Sequence, residues 1–109
     1  MPFVNLNELP QREVFAGFVG RFVHSQFMTF AHWEIKAGAA LSAHSHPHEQ
    51  VVNVIEGEFE LTIDGVTQCL GPQSVAVIPP NAVHSGRALT DCRILDVFHP
   101  IREDYRLRT

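Results

Sequence analysis

Gly38-Ala-Ala-Leu-Ser-Ala-His44-Ser-His46-Pro-His48-Glu49-Gln50, running on to Gly57, is the stretch on which the reading of this chain turns. In an extended strand, residues two apart point to the same side, so His44 and His46 present two imidazoles to one volume. Imidazole nitrogens and the neutral amide oxygen of Gln50 suit borderline divalent ions such as nickel, zinc, iron, cobalt or manganese. A metal needs further ligands from elsewhere in the chain. Ile78-Pro79-Pro80-Asn81-Ala82-Val83-His84 offers one, as a turn followed by a single histidine. A lone histidine on a strand is more often structural than a ligand, and His-x-His alone is weak evidence. The pair framed by Gly38 and Gly57, followed by Pro-Pro-Asn-x-x-His, is strong.

Around this stretch the chain reads as strands. Helix signals are weak, because no window combines a sustained 3.6-residue period with a cap. Residues 14–24 and 27–36 are rich in Phe and Val, and residues 50–56 and 58–64 flank Gly57. In the last of these Phe59, Leu61 and Ile63 alternate with Glu60 and Thr62. Asp64-Gly65 is a two-residue hairpin turn of the kind that needs positive φ. Val75–Ile78 ends at Pro79-Pro80, and residues 93–98 form the last strand. Short strands with Gly, Pro and Asp turns predict a small sandwich or barrel. The final segment, from Pro100, reads equally as a helical turn or an extended tail.

Bulk properties narrow the function. With 109 residues the chain has room for one domain, 1–109, with one core. A net charge of −4 without a basic cluster argues against nucleic acid and anionic membranes as partners. No apolar run is long enough to span a bilayer, and the N-terminus lacks a signal-peptide pattern, so the cytoplasm is the expected location. Cys69 and Cys92 have no Cys-x-x-Cys spacing and are expected to be free, buried thiols. Arg102, Arg106 and Arg108 cluster near the end of the chain, where they serve either as carboxylate binders or as a solvated tail. Residues 14–23 read as one strand with two apolar faces: Val14, Ala16, Phe18 and Phe22 on one, Phe15, Val19 and Val23 on the other. The second face predicts a homodimer contact.

The stretch from Gly38 to Gly57 resembles the first motif of the cupin family, G-x5-H-x-H-x3-E-x6-G, with Gln50 in place of the carboxylate ligand. Residues 79–84 resemble the second, P-x-G-x2-H, with Asn81 for Gly. Asn tolerates left-handed backbone better than most residues. Where cupins often read P-G-D, this chain has Pro72-Gln73-Ser74. The resemblance covers about residues 15–100. It implies an all-β, double-stranded β-helix (a jelly-roll barrel of two antiparallel sheets) and one divalent metal ion on His44, His46, Gln50 and His84. Three neutral imidazoles and an amide leave the full +2 charge on the ion, which favours anionic or sugar-oxygen ligands over oxalate-type manganese redox chemistry.

The combination HSHPHEQ, VIEGEFELTIDG, IPPNAVHSGRALTDCRILDVF and PIREDYR is similar to the pectin-degradation (KdgF-like) cupins. That likeness implies an enzyme, isomerase- or lyase-like, that opens the ring of 4,5-unsaturated monouronates from pectin or alginate to 5-keto-4-deoxyuronate. Its partner is then a small anionic sugar. Matched along D-V-F-x-P-x-R, the family's pocket residues fall on Asp96, Phe98 and Arg102, as proton carrier, pocket wall and carboxylate clamp. Strand parity agrees independently, placing Ile94, Asp96 and Phe98 on one face. Two other classes compete: a quercetinase-like metal-dependent dioxygenase and a non-catalytic sugar-binding cupin. His48 is expected to support the site from beside it. His24, His32 and His99 are expected to be structural, and Glu49 to face solvent.

Overall fold

The computed structural model describes residues 2–106; the end of the expected tail, with Arg108, lies outside the described residues. Among them ten strands form two antiparallel sheets. The strands are β1 (Arg12–Phe15), β2 (Phe18–His24), β3 (Thr29–Ile35), β4 (Ala40–His44), β5 (Glu49–Glu56), β6 (Phe59–Ile63), β7 (Val66–Leu70), β8 (Val75–Ile78), β9 (His84–Ala88) and β10 (Cys92–His99). The larger sheet runs β1-β2-β3-β10-β5-β8 and the smaller β4-β9-β6-β7. No helix among the described residues is long and apolar enough to cross a membrane.

Alternation sorts each strand between core and solvent. Thr29, Ala31, Trp33 and Ile35 of β3 are buried, as are Gln50, Val52 and Val54 of β5 and Cys92, Ile94 and Phe98 of β10. Phe59 and Leu61 close the core from the other sheet. Burying one such side chain stabilises the fold by roughly 1.5–3 kcal/mol, so the two inner faces hold the sandwich shut. The turns obey local sterics as expected: Asp64 and Gly65 take φ of 47° and 82°, and Asn81 takes 67°. Pro72-Gln73-Ser74 is also a tight turn, with Gln73 at φ 70°. Gly57 has φ 88°, and a Cβ there would run into the Asp91 carbonyl, so only glycine fits between β5 and β6.

The structure corrects several expectations. Residues 14–24 are not one strand. Ala16 and Gly17 turn the chain, with Gly17 at φ 81°, and β1 folds back on β2 so that Phe15 pairs with Phe18. The apparent two-faced strand is therefore two strands out of phase, and Val14 and Phe22 both pack on the core. Strand β3 begins at Thr29 because Ser25 and Met28 close a turn, the Ser25 amide donating to the Met28 carbonyl at 2.9 Å. Both cysteines are free, but only Cys92 is buried; Cys69 is exposed on the edge strand β7. The strand β9, HSGRA, carries little strand propensity and is formed by its neighbours β4 and β6. Its Gly86 leaves room for the Phe59 ring, which occupies the place a Cβ would take. The segment after Pro100 makes a short helical turn at Glu103–Tyr105.

Candidate metal centre

His44 ends β4 and is the cross-strand partner of His84, the first residue of β9. Their ring centroids lie 4.2 Å apart. His46 lies past the end of β4, in the connection to β5, so strand parity is not what aims it. The Asn81 amide donates to the His46 carbonyl at 2.8 Å, tying the first histidine segment to the Pro-Pro-Asn turn. The His46 ring stands 4.9 Å from that of His84 and 5.9 Å from that of His44. One ligand nitrogen from each of the three lies within 4.8 Å of the others.

All three rings are oriented alike. Nδ1 of His44 lies 2.8 Å from the Ser42 carbonyl, Nδ1 of His46 3.1 Å from that of His48, and Nδ1 of His84 2.9 Å from that of Ala82. A carbonyl only accepts, so each Nδ1 carries the proton and each Nε2 keeps its lone pair. Nε2 of His84 is buried and has no partner in the protein. Gln50, buried on β5, sets its Oε1 3.1 Å from Nε2 of His46. Burial and the charge of Arg102 push His46 down to about 4, so this ring is neutral at ordinary pH. Two acceptors facing one another, beside a third without a donor, are what a shared cation satisfies. The residues present thus fit a metal ion: three histidines and Gln50 can hold one.

Asp96, Phe98 and Arg102 line the same cavity as His44, Gln50 and His84. Asp96 Oδ2 accepts from the Trp33 indole at 3.1 Å, whereas Oδ1 is buried without a partner. Burial raises the Asp96 carboxyl to about 7, against the pull of the neighbouring Gln50 amide, of the Trp33 hydrogen bond and of the Arg102 charge. Phe98 is 1% exposed, its ring 5.8 Å from that of His46. Arg102 stacks on Phe98 at 4.9 Å and on Tyr105 at 4.3 Å, and its fork is held by Asp104 at 3.1 and 2.7 Å. Its backbone amide donates to the Thr29 hydroxyl at 2.9 Å, fixing the segment after β10 to the start of β3.

The sequence reading missed Trp33, Tyr105 and Asp104. Trp33 shares inward parity with Ala31 and Ile35, the one available signal. Nothing local marked Tyr105, which reaches the cavity only because the tail doubles back, or Asp104, which pairs with Arg102. His48 supports His46 through its backbone carbonyl, and its ring lies edge-on to that of His46 at 5.4 Å. Glu49 is exposed as expected, and His24 is held by the Thr29 hydroxyl at 2.9 Å.

Two facing antiparallel sheets with a three-histidine cluster at one end define a small β-sandwich with a candidate metal site. The chain belongs to the cupin family: residues 31–98 match the Cupin domain. Its fold superposes on an RmlC-like cupin from Shewanella frigidimarina with a TM-score of 0.92 and 26% identity, over 97% of this chain and 96% of that one. It is similarly close to KdgF from a Halomonas species, with a TM-score of 0.88 and 28% identity over 95% and 96% of the two chains. Oxalate decarboxylase from Bacillus subtilis shares the fold at 21% identity and a TM-score of 0.79, with 89% of this chain covering 29% of that one. No curated protein matches the chain by sequence.

Proposed function

We propose that this cupin opens the ring of 4,5-unsaturated monouronates to 5-keto-4-deoxyuronate. The observation that carries the reading is a single cavity lined by His44 and His84 of the histidine cluster and by Gln50, together with Asp96, Phe98 and Arg102. The likeness to KdgF along nearly the whole chain supports it. The substrate is a cyclic hemiacetal carrying an enol ether. Opening removes the anomeric hydroxyl proton, breaks the C1–O5 bond to leave an aldehyde and an enol(ate), and delivers a proton to C4 as the enol becomes a ketone. Atoms and electrons balance without an oxidant or water.

A divalent ion on His44, His46, Gln50 and His84 supplies Lewis-acid stabilisation of charge on the sugar oxygens. Asp96, which lines the cavity, moves the protons: Trp33 donates to one carboxyl oxygen, and the other has no protein partner. Arg102 binds the sugar carboxylate with the fork that Asp104 occupies here, and the Phe98 and Tyr105 rings keep that fork in place. Phe98 also forms an apolar wall beside His46. The cavity is about 80 Å³.

The test is decay of the absorbance of the C4–C5 double bond in freshly released unsaturated uronate. The metal-loaded wild type accelerates this over spontaneous opening and consumes no oxygen, which separates it from a dioxygenase. Asp96→Ala lowers kcat by roughly 10²–10⁴-fold and keeps its metal. Arg102→Ala mainly raises KM, because a charge-assisted pair contributes to ground and transition states alike. A wild type that fails to accelerate the decay refutes the reading.

A further inference from the structure

We propose that Asp104 is a specificity-determining residue, an internal carboxylate that holds Arg102 until the carboxylate of an incoming sugar acid displaces it. The inference rests on the reading of Arg102 as the carboxylate clamp and says what that clamp does without a ligand. Arg102 Nε donates to Asp104 Oδ1 at 3.1 Å and Nη2 to Asp104 Oδ2 at 2.7 Å. Two parallel bonds along one edge are the arrangement in which a guanidinium takes a free carboxylate. Asp104 thus occupies Arg102 in the way a ligand would. Among the described residues it is the one ion-pair partner of Arg102. Burial opposes ionisation of Asp104, but the hydrogen bond and charge of Arg102 prevail. They hold its carboxyl below the ordinary range, so it is an anion at neutral pH.

The two partners differ in how firmly they are held. The Arg102 side chain is 13% exposed, lies against the Phe98 and Tyr105 rings, and lines the cavity. The Asp104 side chain is 58% exposed. Rotation about its own side-chain bonds releases Arg102 while the backbone of the turn stays in place. Exchange of one carboxylate for another spares the enclosed guanidinium the costly unpaired state. It also sets a threshold. A small anion gains no more from Arg102 than Asp104 already supplies, and Asp104 competes at the high effective concentration of a tethered group. A sugar acid adds contacts in the cavity and passes that threshold; acetate does not. A neutral sugar has nothing to exchange and leaves the pair closed.

Trp33 is the single tryptophan of the chain, and its indole N–H donates to Asp96 in the cavity wall, so one NMR resonance reports occupancy. The intact protein, supplied with zinc, is titrated with D-glucuronate, a saturated uronate with no double bond to react. Asp104→Asn is expected to bind it roughly two- to fivefold more tightly than wild type, the weight of a partly exposed ion pair. That gain is expected to vanish when Arg102→Gln is present in both proteins. Acetate is expected to compete with glucuronate at lower concentration in Asp104→Asn than in wild type. Asp104→Ala, which accepts nothing, is expected to change in the same direction and decides if the asparagine variant does not fold. Unchanged or weaker glucuronate binding by the folded variant overturns the proposal. So does a gain that survives Arg102→Gln, or equal competition by acetate in the two proteins. The absorbance assay is read separately. Asp104-dependent glucuronate binding without accelerated decay refutes ring opening and leaves this inference standing. Accelerated decay with an unchanged KM in Asp104→Asn does the reverse.

Discussion

His24 shows how one side chain senses its surroundings. Its ring is held below the usual histidine range by burial first, then by the nearby charges of Arg106 and Arg12; the Tyr105 carbonyl and Glu103 pull the other way without prevailing. The folded chain therefore resists a proton that the unfolded chain takes up as pH falls through about 6.5. Between neutral pH and the folded-state value the unfolded state binds more protons, so stability falls as the solution is acidified. His32, His46, His48 and His84 are lowered as well, with burial leading in each, and act in the same direction. The expected outcome is a metal-free protein that loses stability from pH 7.5 to 5.5, and a His24→Asn variant that loses less. Chemical denaturation at several pH values checks it, and identical slopes for the two proteins contradict it.

At the scale of elements, the short turn Glu103–Tyr105 is what completes the cavity, and Arg12 on β1 is what holds it. The Arg12 guanidinium donates to the Tyr105 carbonyl at 2.6 Å and lies 4.5 Å over the Phe22 ring. Removing a charged donor of this kind costs about 1.5 kcal/mol or more. Arg12→Ala is expected to speed hydrogen exchange at the amides of Tyr105 and Arg106, which close the turn on Arg102 and Glu103, and to raise KM by loosening Arg102. Unchanged exchange at both amides contradicts this role. Alternation made β5, β6 and β10 readable from sequence, and the Asp64-Gly65 turn announced its hairpin. The hairpin at Ala16-Gly17 was hidden because apolar residues continue across it, so the change of phase left no polar mark. Strand β9 was hidden because its partners, rather than its own residues, impose it. Among site residues, His44 followed from its strand, and Asp96 and Phe98 rested on family likeness with strand parity in agreement. Arg102 rested on family likeness, and Tyr105, three residues on, had no local signal at all.

For the whole molecule, the two sheets are joined at one end by the histidine cluster. His44 and His84 belong to the smaller sheet, Gln50 to the larger, and His46 to the connection between them. An ion bound there links both sheets and stabilises the folded state by mass action, about 2.7 kcal/mol at free metal one hundred times its dissociation constant. Chelation is expected to lower the melting temperature, and added metal to restore it. The most direct test is metal analysis of the purified protein beside His46→Ala after identical handling. The account predicts about one divalent transition ion per wild-type chain and a large loss in the variant. Full occupancy in folded His46→Ala would contradict it.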